Sequence, residues 1–152
     1  LLAGLDAVIP FIELPDLLFA PGATRQARTL QALNVGARAG VMGTPIPLTA
    51  DQATLDRLAS FTVRLVNQDN RVLGEGSGQA LLGHPIHVVR WIRDTLKAQG
   101  DRLREGHLLS LGSVTPLVPL RTGGRLTAFY DGLTPAGTVS VSCTIQESVP
   151  AE

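Results

Sequence analysis

The chain has 152 residues and a mass of 16.0 kDa, with thirteen Lys plus Arg against thirteen Asp plus Glu. That balance argues against a strong binder of nucleic acid or of acidic membrane surfaces, and no apolar run approaches the roughly 20 residues that would cross a bilayer. A single cysteine, Cys143, allows neither an intrachain disulfide nor a Cys-based metal cluster, and it fits a reducing, cytoplasmic setting.

The sequence opens at Leu1-Leu2, and its one methionine is Met42, so it reads as a piece of a longer chain, a single domain over residues 1–152. Sixteen Gly and ten Pro punctuate many short apolar runs, which predicts a β-rich α+β domain with one main helix and one or two short ones. Ala7 to Leu14 reads as a buried strand, interrupted at Pro10 and ended by Pro15-Asp16. Ala27, Leu30 and Leu33 recur at helical spacing within Ala23 to Val35, a short amphipathic helix stopped near Gly36. Gly40 to Gly43 is expected to be a strand that continues into the extended segment Thr44-Pro45-Ile46-Pro47, since proline fixes φ and restrains the residue before it.

Further along, Phe61, Val63 and Leu65 alternate with Thr62, Arg64 and Val66, and Asp69-Asn70 turns the chain toward Val72-Leu73: a hairpin. The clearest helix spans Pro85 to Ala98, with proline in its first turn, a stripe of Val88, Val89, Ile92 and Leu96, and Gly100 as its stop. His107 to Leu111, Leu126 to Tyr130 and Thr138 to Ile145 are read as strands. In the last of these Val139, Val141, Cys143 and Ile145 share the core side, and Ser140, Ser142 and Thr144 take a wet or paired one.

Few residues carry a chemical signature. His84, His87 and His107 are read as structural: His84 beside Pro85 is placed to cap or pack, and His87 belongs on an exposed first turn. Gly76-Ser77-Gly78 lacks the flanks of a nucleophile elbow and is assigned to a turn. Gly36-Ala37-Arg38-Ala39-Gly40 has neither the third glycine nor the preceding strand of a dinucleotide loop. Glu13 stands apart, because a carboxylate inside Val8-Ile9-Pro10-Phe11-Ile12-Glu13-Leu14 calls for a partner, either an arginine or a metal ion.

Four stretches, Asp6 to Asp16 (DAVIPFIELPD), Asn34 to Gly43 (NVGARAGVMG), Gly78 to Ile86 (GQALLGHPI) and Leu109 to Thr115 (LSLGSVT), together resemble the fumarylacetoacetate hydrolase superfamily. The likeness is to its branch of 2-keto-4-pentenoate (2-hydroxypentadienoate) hydratases and 4-oxalocrotonate decarboxylases, in the order of that family's C-terminal portion. The resemblance implies a mixed β-roll and a divalent ion, Mg2+ or Mn2+, held on three carboxylates. Glu13 matches the third; the Glu-x-Glu or Glu-x-Asp pair of the family and its substrate lysine would lie upstream of this sequence. Asn34 matches a pocket asparagine, with Gly36 where relatives carry serine, and Ser113 and Thr115 fall in the loop that meets the substrate carboxylate.

The implied function is a metal-dependent lyase of aromatic-compound breakdown, a hydratase acting on a small 2-oxo or 2-hydroxydienoate acid through an enolate. Alternatives are a decarboxylase or a C–C bond hydrolase of the acylpyruvate type. From another class comes a non-catalytic structural or oligomerisation domain. The two absent ligands imply weak or absent magnesium binding by these residues alone. A homo-oligomer is implied by the family, and the exposed edges of a truncated roll give it a physical reason.

Overall fold

The computed structural model describes residues 1–16, 19, 26–119 and 122–146. The sheet-rich body is α+β. Two short strands, β1 (Ala7–Val8) and β2 (Phe11–Leu14), are followed by α1 (Ala27–Ala32), β3 (Ala39–Met42) and β4 (Ile46–Pro47). Then come α2 (Gln52–Ser60), the hairpin β5 (Thr62–Asn67) and β6 (Val72–Ser77), the long helix α3 (Pro85–Ala98), and the pair β7 (Arg125–Thr134) and β8 (Gly137–Thr144). The main sheet is antiparallel in the order β6-β5-β7-β8; β2 pairs with β3, and β1 with β4, as separate two-stranded ladders.

The main sheet turns one face to the core. Val63 stands opposite Tyr130, and Tyr130 opposite Val139; Ala128 stands opposite Val141, and Leu126 opposite Cys143. Leu2, Ile12 from β2, Leu58 from α2, Phe61 and Leu133 complete the buried cluster against that face. Burying such side chains is the main favourable contribution to folding, roughly 1.5–3 kcal/mol for each large one. The opposite face is paired, as the alternation of β8 predicts: the hydroxyls of Thr127 and Ser142 lie 2.8 Å apart. The β5–β6 turn is closed by Asn67, whose Oδ1 accepts from the amides of Asp69 and Arg71, while Asn70 takes a positive φ of 59°.

Five sequence expectations change. The run Ala7 to Leu14 breaks at Pro10 as expected, but it is not buried throughout: Ile12 is buried, while Phe11 and Glu13 are exposed. A continuous apolar run had suggested burial on both faces, but β2 has only the core on one side. The α1 helix is shorter than expected and buries no residue; residues 23–25 lie outside the described ones. Its exit is a 3₁₀ turn in which Asn34, Val35 and Gly36 all have positive φ. Helix α2 was not anticipated, although Asp51 caps it by accepting from Thr54 N at 2.7 Å. The segment His107 to Leu111 is irregular and forms no strand, its backbone belonging to a loop that runs over the main sheet. Gly76 and Ser77 end β6, and Gly78 opens a 3₁₀ turn, so the first of these glycines is a strand residue.

Candidate functional site

Glu13 sits near the end of β2, directly opposite Gly40 of β3. Side chains two apart on a strand share a face, so Phe11 and Glu13 emerge together. The Phe11 ring folds across the ladder and occupies the space a side chain at Gly40 would need, which accounts for the glycine there. Glu13 is exposed, and its partner is a hydroxyl: Ser113 Oγ donates to Glu13 Oε2 at 3.4 Å. That is a long bond between two exposed groups and contributes little to stability. Its significance is placement, because it joins residues one hundred positions apart. The ion pairs among the described residues are Arg64–Asp131, Arg93–Asp94 and Arg104–Asp101, and none includes Glu13.

Two devices hold this edge. The loop carrying Ser113 lies on β6, where Gly74 and Gly76 leave one face of the strand bare. A Cβ at Gly76 would overlap the Val114 carbonyl, and one at Gly74 would stand 3.5 Å from Thr115 Cβ. Thr115 is therefore half-buried against β6, beside Ser113 in sequence but turned to the sheet. The second device is Tyr130 of β7. Its hydroxyl accepts from Phe11 N at 3.1 Å and donates to Phe11 O at 2.7 Å, tying the main sheet to β2 two residues before Glu13. Burial raises the Tyr130 phenol above its ordinary range, so it remains protonated and keeps its donor. Asn34 is exposed in the 3₁₀ turn, which is anchored beyond Glu13 by Asp16 N donating to Gly36 O at 2.8 Å.

The structure thus brings Ser113 to Glu13 and holds the Asn34 turn against the end of the same strand. Sequence reasoning missed Tyr130 and misread Gly76. The available signals were a tyrosine at an inward strand position, which needs a partner for its hydroxyl, and glycines at alternate positions, which mark close approach of another backbone.

The histidines are structural where their partners are visible. His84 Nδ1 accepts from Ile86 N at 3.0 Å, capping α3, so Nε2 carries the proton it shares with Leu55 O, also at 3.0 Å. His87 Nδ1 lies 3.0 Å from Leu82 O on the exposed first turn. Among the described residues no three His, Cys, Asp or Glu side chains converge to hold a metal. A magnesium-sized ion takes about six oxygens. Glu13 and Ser113 together offer one carboxylate and one hydroxyl, fewer oxygens than such an ion takes. A groove of about 560 Å³ runs along α3 past Leu82, His87, Trp91 and Thr95 and shares no residue with this edge.

No protein-family model matches the chain. It is 35% identical over 94 residues to a 2-hydroxyhexa-2,4-dienoate hydratase of Comamonas testosteroni, covering 62% of this chain and 34% of that protein. It is 27% identical over 140 residues to a 4-oxalocrotonate decarboxylase of Pseudomonas putida, covering 91% of this chain and 49% of the relative. A solved structure of 4-oxalocrotonate decarboxylase from Pseudomonas putida G7, complexed with magnesium and adipate, matches with a TM-score of 0.76 at 26% identity, over 91% of this chain and 49% of that one. The chain therefore spans at most about half the length of these relatives. By sequence and by fold the chain is similar to 2-keto-4-pentenoate hydratases and 4-oxalocrotonate decarboxylases, over a stretch of about half their length.

Proposed function

We propose that this chain is the C-terminal portion of a divalent-metal-dependent lyase acting on a small 2-hydroxydienoate or 2-oxo acid, a hydratase of aromatic-compound breakdown. The observation that carries the reading is the match, over 91% of the chain, to a decarboxylase solved with magnesium and a dicarboxylate. Glu13 supplies one anionic oxygen donor toward Mg2+ or Mn2+, the rest of the donor set coming from outside the residues described. The ion, when bound, stabilises negative charge that develops on the substrate. The Ser113 hydroxyl, which donates to Glu13 in this structure, would turn its one proton from that carboxylate to an oxygen of the substrate acid, with Thr115 and Asn34 in the flanking loop and turn. The sheet-rich body is read as part of a mixed β-roll.

Decarboxylation is the second reading, supported by the solved decarboxylase structure that matches over 91% of the chain; by sequence, a hydratase and a decarboxylase each match over 87% of it. Self-association is part of the proposal: Phe11, Leu33, Val35 and Met42 leave apolar surface exposed on β2, β3 and the turn between them. Light scattering is expected to give a mass above that of one chain. No described helix is long and apolar enough to cross a membrane, and the unpaired Cys143 suits the reducing cytoplasm proposed as its setting.

Manganese alone tests the ligand role. Titrating it into the isotope-labelled chain is expected to broaden the resonances of Glu13 and Ser113 first, at millimolar concentrations, and Glu13→Gln to abolish that preference. In a polypeptide of relatives' length, Glu13→Ala is expected to end turnover of 2-hydroxypenta-2,4-dienoate while leaving the fold intact. Water addition or carbon dioxide release then decides between the two chemistries. Undiminished turnover, or manganese broadening indifferent to Glu13, returns the chain to the reading of a non-catalytic structural domain.

A further inference from the structure

Strand β2 has one paired edge and one open edge. On the paired edge Pro10 O accepts from Gly43 N at 2.8 Å, and Ile12 stands across from Val41. Backbone groups alternate sides along a strand, so the amide and carbonyl of Phe11 face the open edge, where the described residues provide no further strand. One atom takes both. Tyr130 Oη accepts from Phe11 N at 3.1 Å and donates to Phe11 O at 2.7 Å, doing for this residue what a neighbouring strand would do.

The phenol itself is held firmly. Tyr130 is 8% exposed, its strand is paired on both sides, at Val63 of β5 and Val139 of β8, and its ring packs 6.3 Å from that of Phe61. Glu13 follows Phe11 by two residues, about 6.5 Å along the strand at the usual rise. The Ser113 loop is seated on β6, and β6 belongs to the same sheet as Tyr130. The main sheet therefore fixes both partners of the Glu13–Ser113 contact, one through the loop and the other through the phenol.

We propose that Tyr130 is a positioning residue for Glu13: its hydroxyl, standing in for a strand at the open edge of β2, sets where the carboxylate meets Ser113. The inference rests on reading that edge as part of a site. Removing the hydroxyl alone leaves the aromatic ring in the core and the register of the main sheet unchanged. It frees β2 at the residue that determines how far Glu13 lies from Ser113.

Tyr130→Phe in the full chain tests this through the 13C resonance of the Glu13 carboxyl. In the parent chain Ser113→Ala is expected to shift that resonance; in the Tyr130→Phe background the shift is expected to fall by at least half. Exchange of the Phe11 amide is expected to accelerate at least tenfold while that of Ile12 changes less. Phe61→Leu is the control for packing, because it loosens the ring's surroundings and keeps the phenol: it lowers the melting temperature and leaves the Glu13 response intact. The proposal is overturned if Ser113→Ala fails to move Glu13 in the parent chain, if Tyr130→Phe leaves the response whole, or if Phe61→Leu reduces it equally. Neither metal nor substrate enters these readings. A chain that keeps the Tyr130-dependent coupling yet shows no Glu13-dependent manganese broadening loses the enzymatic reading and not the positioning one.

Discussion

Gly76 and Gly74 lie on the same face of one strand, under one loop, and the structure separates them. A methyl group at Gly76 would overlap the backbone carbonyl of Val114, whereas one at Gly74 would meet Pro116 Cδ at 3.4 Å and Thr115 Cβ at 3.5 Å, at the edge of ordinary contact. Gly76→Ala must lift the loop or bend β6, and overpacking of this kind costs about 1–3 kcal/mol. For a chain of this size that lowers the melting temperature by roughly 2–4 °C per kcal/mol. Gly74→Ala is expected to cost less than about 0.5 kcal/mol, since a strand glycine carries an entropic penalty that alanine partly removes. Ser113 adjoins Val114, so the first variant and not the second is expected to lose the Ser113 effect on the Glu13 carboxyl resonance. Equal melting temperatures for the two variants would contradict the seating of the loop. In sequence this pair is only Gly-Glu-Gly, compatible with a turn, because what fills the vacant face arrives from about forty residues away.

At the scale of elements, α3 was legible to the residue, and the reason is local: Pro85 opens it, a four-residue apolar stripe runs along it, and Gly100 follows it with a φ of 79°. The β5–β6 hairpin and the paired face of β8 were legible for the same reason, their period of two and their turn residues lying within one short window. Helix α2 was not, although Asp51 and Thr54 form its cap, because its apolar positions are few and its packing partner is β7, far along the chain. The site divides in the same way. Glu13 could be singled out from its apolar neighbours, but its exposure, its hydroxyl partner and the Tyr130 tether depend on pairings between distant segments. His84 joins both kinds of information, capping α3 locally and bonding Leu55 O of α2 across the fold. His84→Ala loses the cap, about 1 kcal/mol, and the second bond that Leu55 O accepts, from Nε2–H, roughly another 1 kcal/mol. His84→Asn restores the cap and is too short for Leu55, so it is expected to recover about half of the lost stability in denaturant titrations. Full recovery would mean that the α2–α3 bond contributes nothing.

For the molecule as a whole, the titrating groups define a range of pH over which the fold is most stable. The Asp51 carboxyl is held below its ordinary value by the Thr49 hydroxyl and the Thr54 amide, and that of Asp131 by the Thr138 hydroxyl and then Arg64. A lowered carboxyl contributes stability that is present above the unfolded value, near 3.8, and is lost as pH falls through the folded one. At the alkaline end burial raises Cys143 above 9.0 and Tyr130 above 10.0. Above those values the unfolded chain has released a proton that the folded chain retains, so stability declines as pH rises. Tyr130→Phe isolates one of these contributions. At neutral pH the variant is expected to be less stable by about 1–3 kcal/mol, because it leaves the amide and carbonyl of Phe11 without their partner. Phenylalanine has no proton to lose, so the variant keeps the alkaline decline due to Cys143 and lacks the part due to the phenol, whereas the parent chain loses stability through both groups. The gap between the two, read from denaturant midpoints at steps from pH 7 to 11, is expected to stay constant to about pH 9 and then to narrow. A gap that held its width to pH 11 would show that the phenol ionises as readily in the folded chain as in the unfolded one, which its burial between β2 and Phe61 forbids.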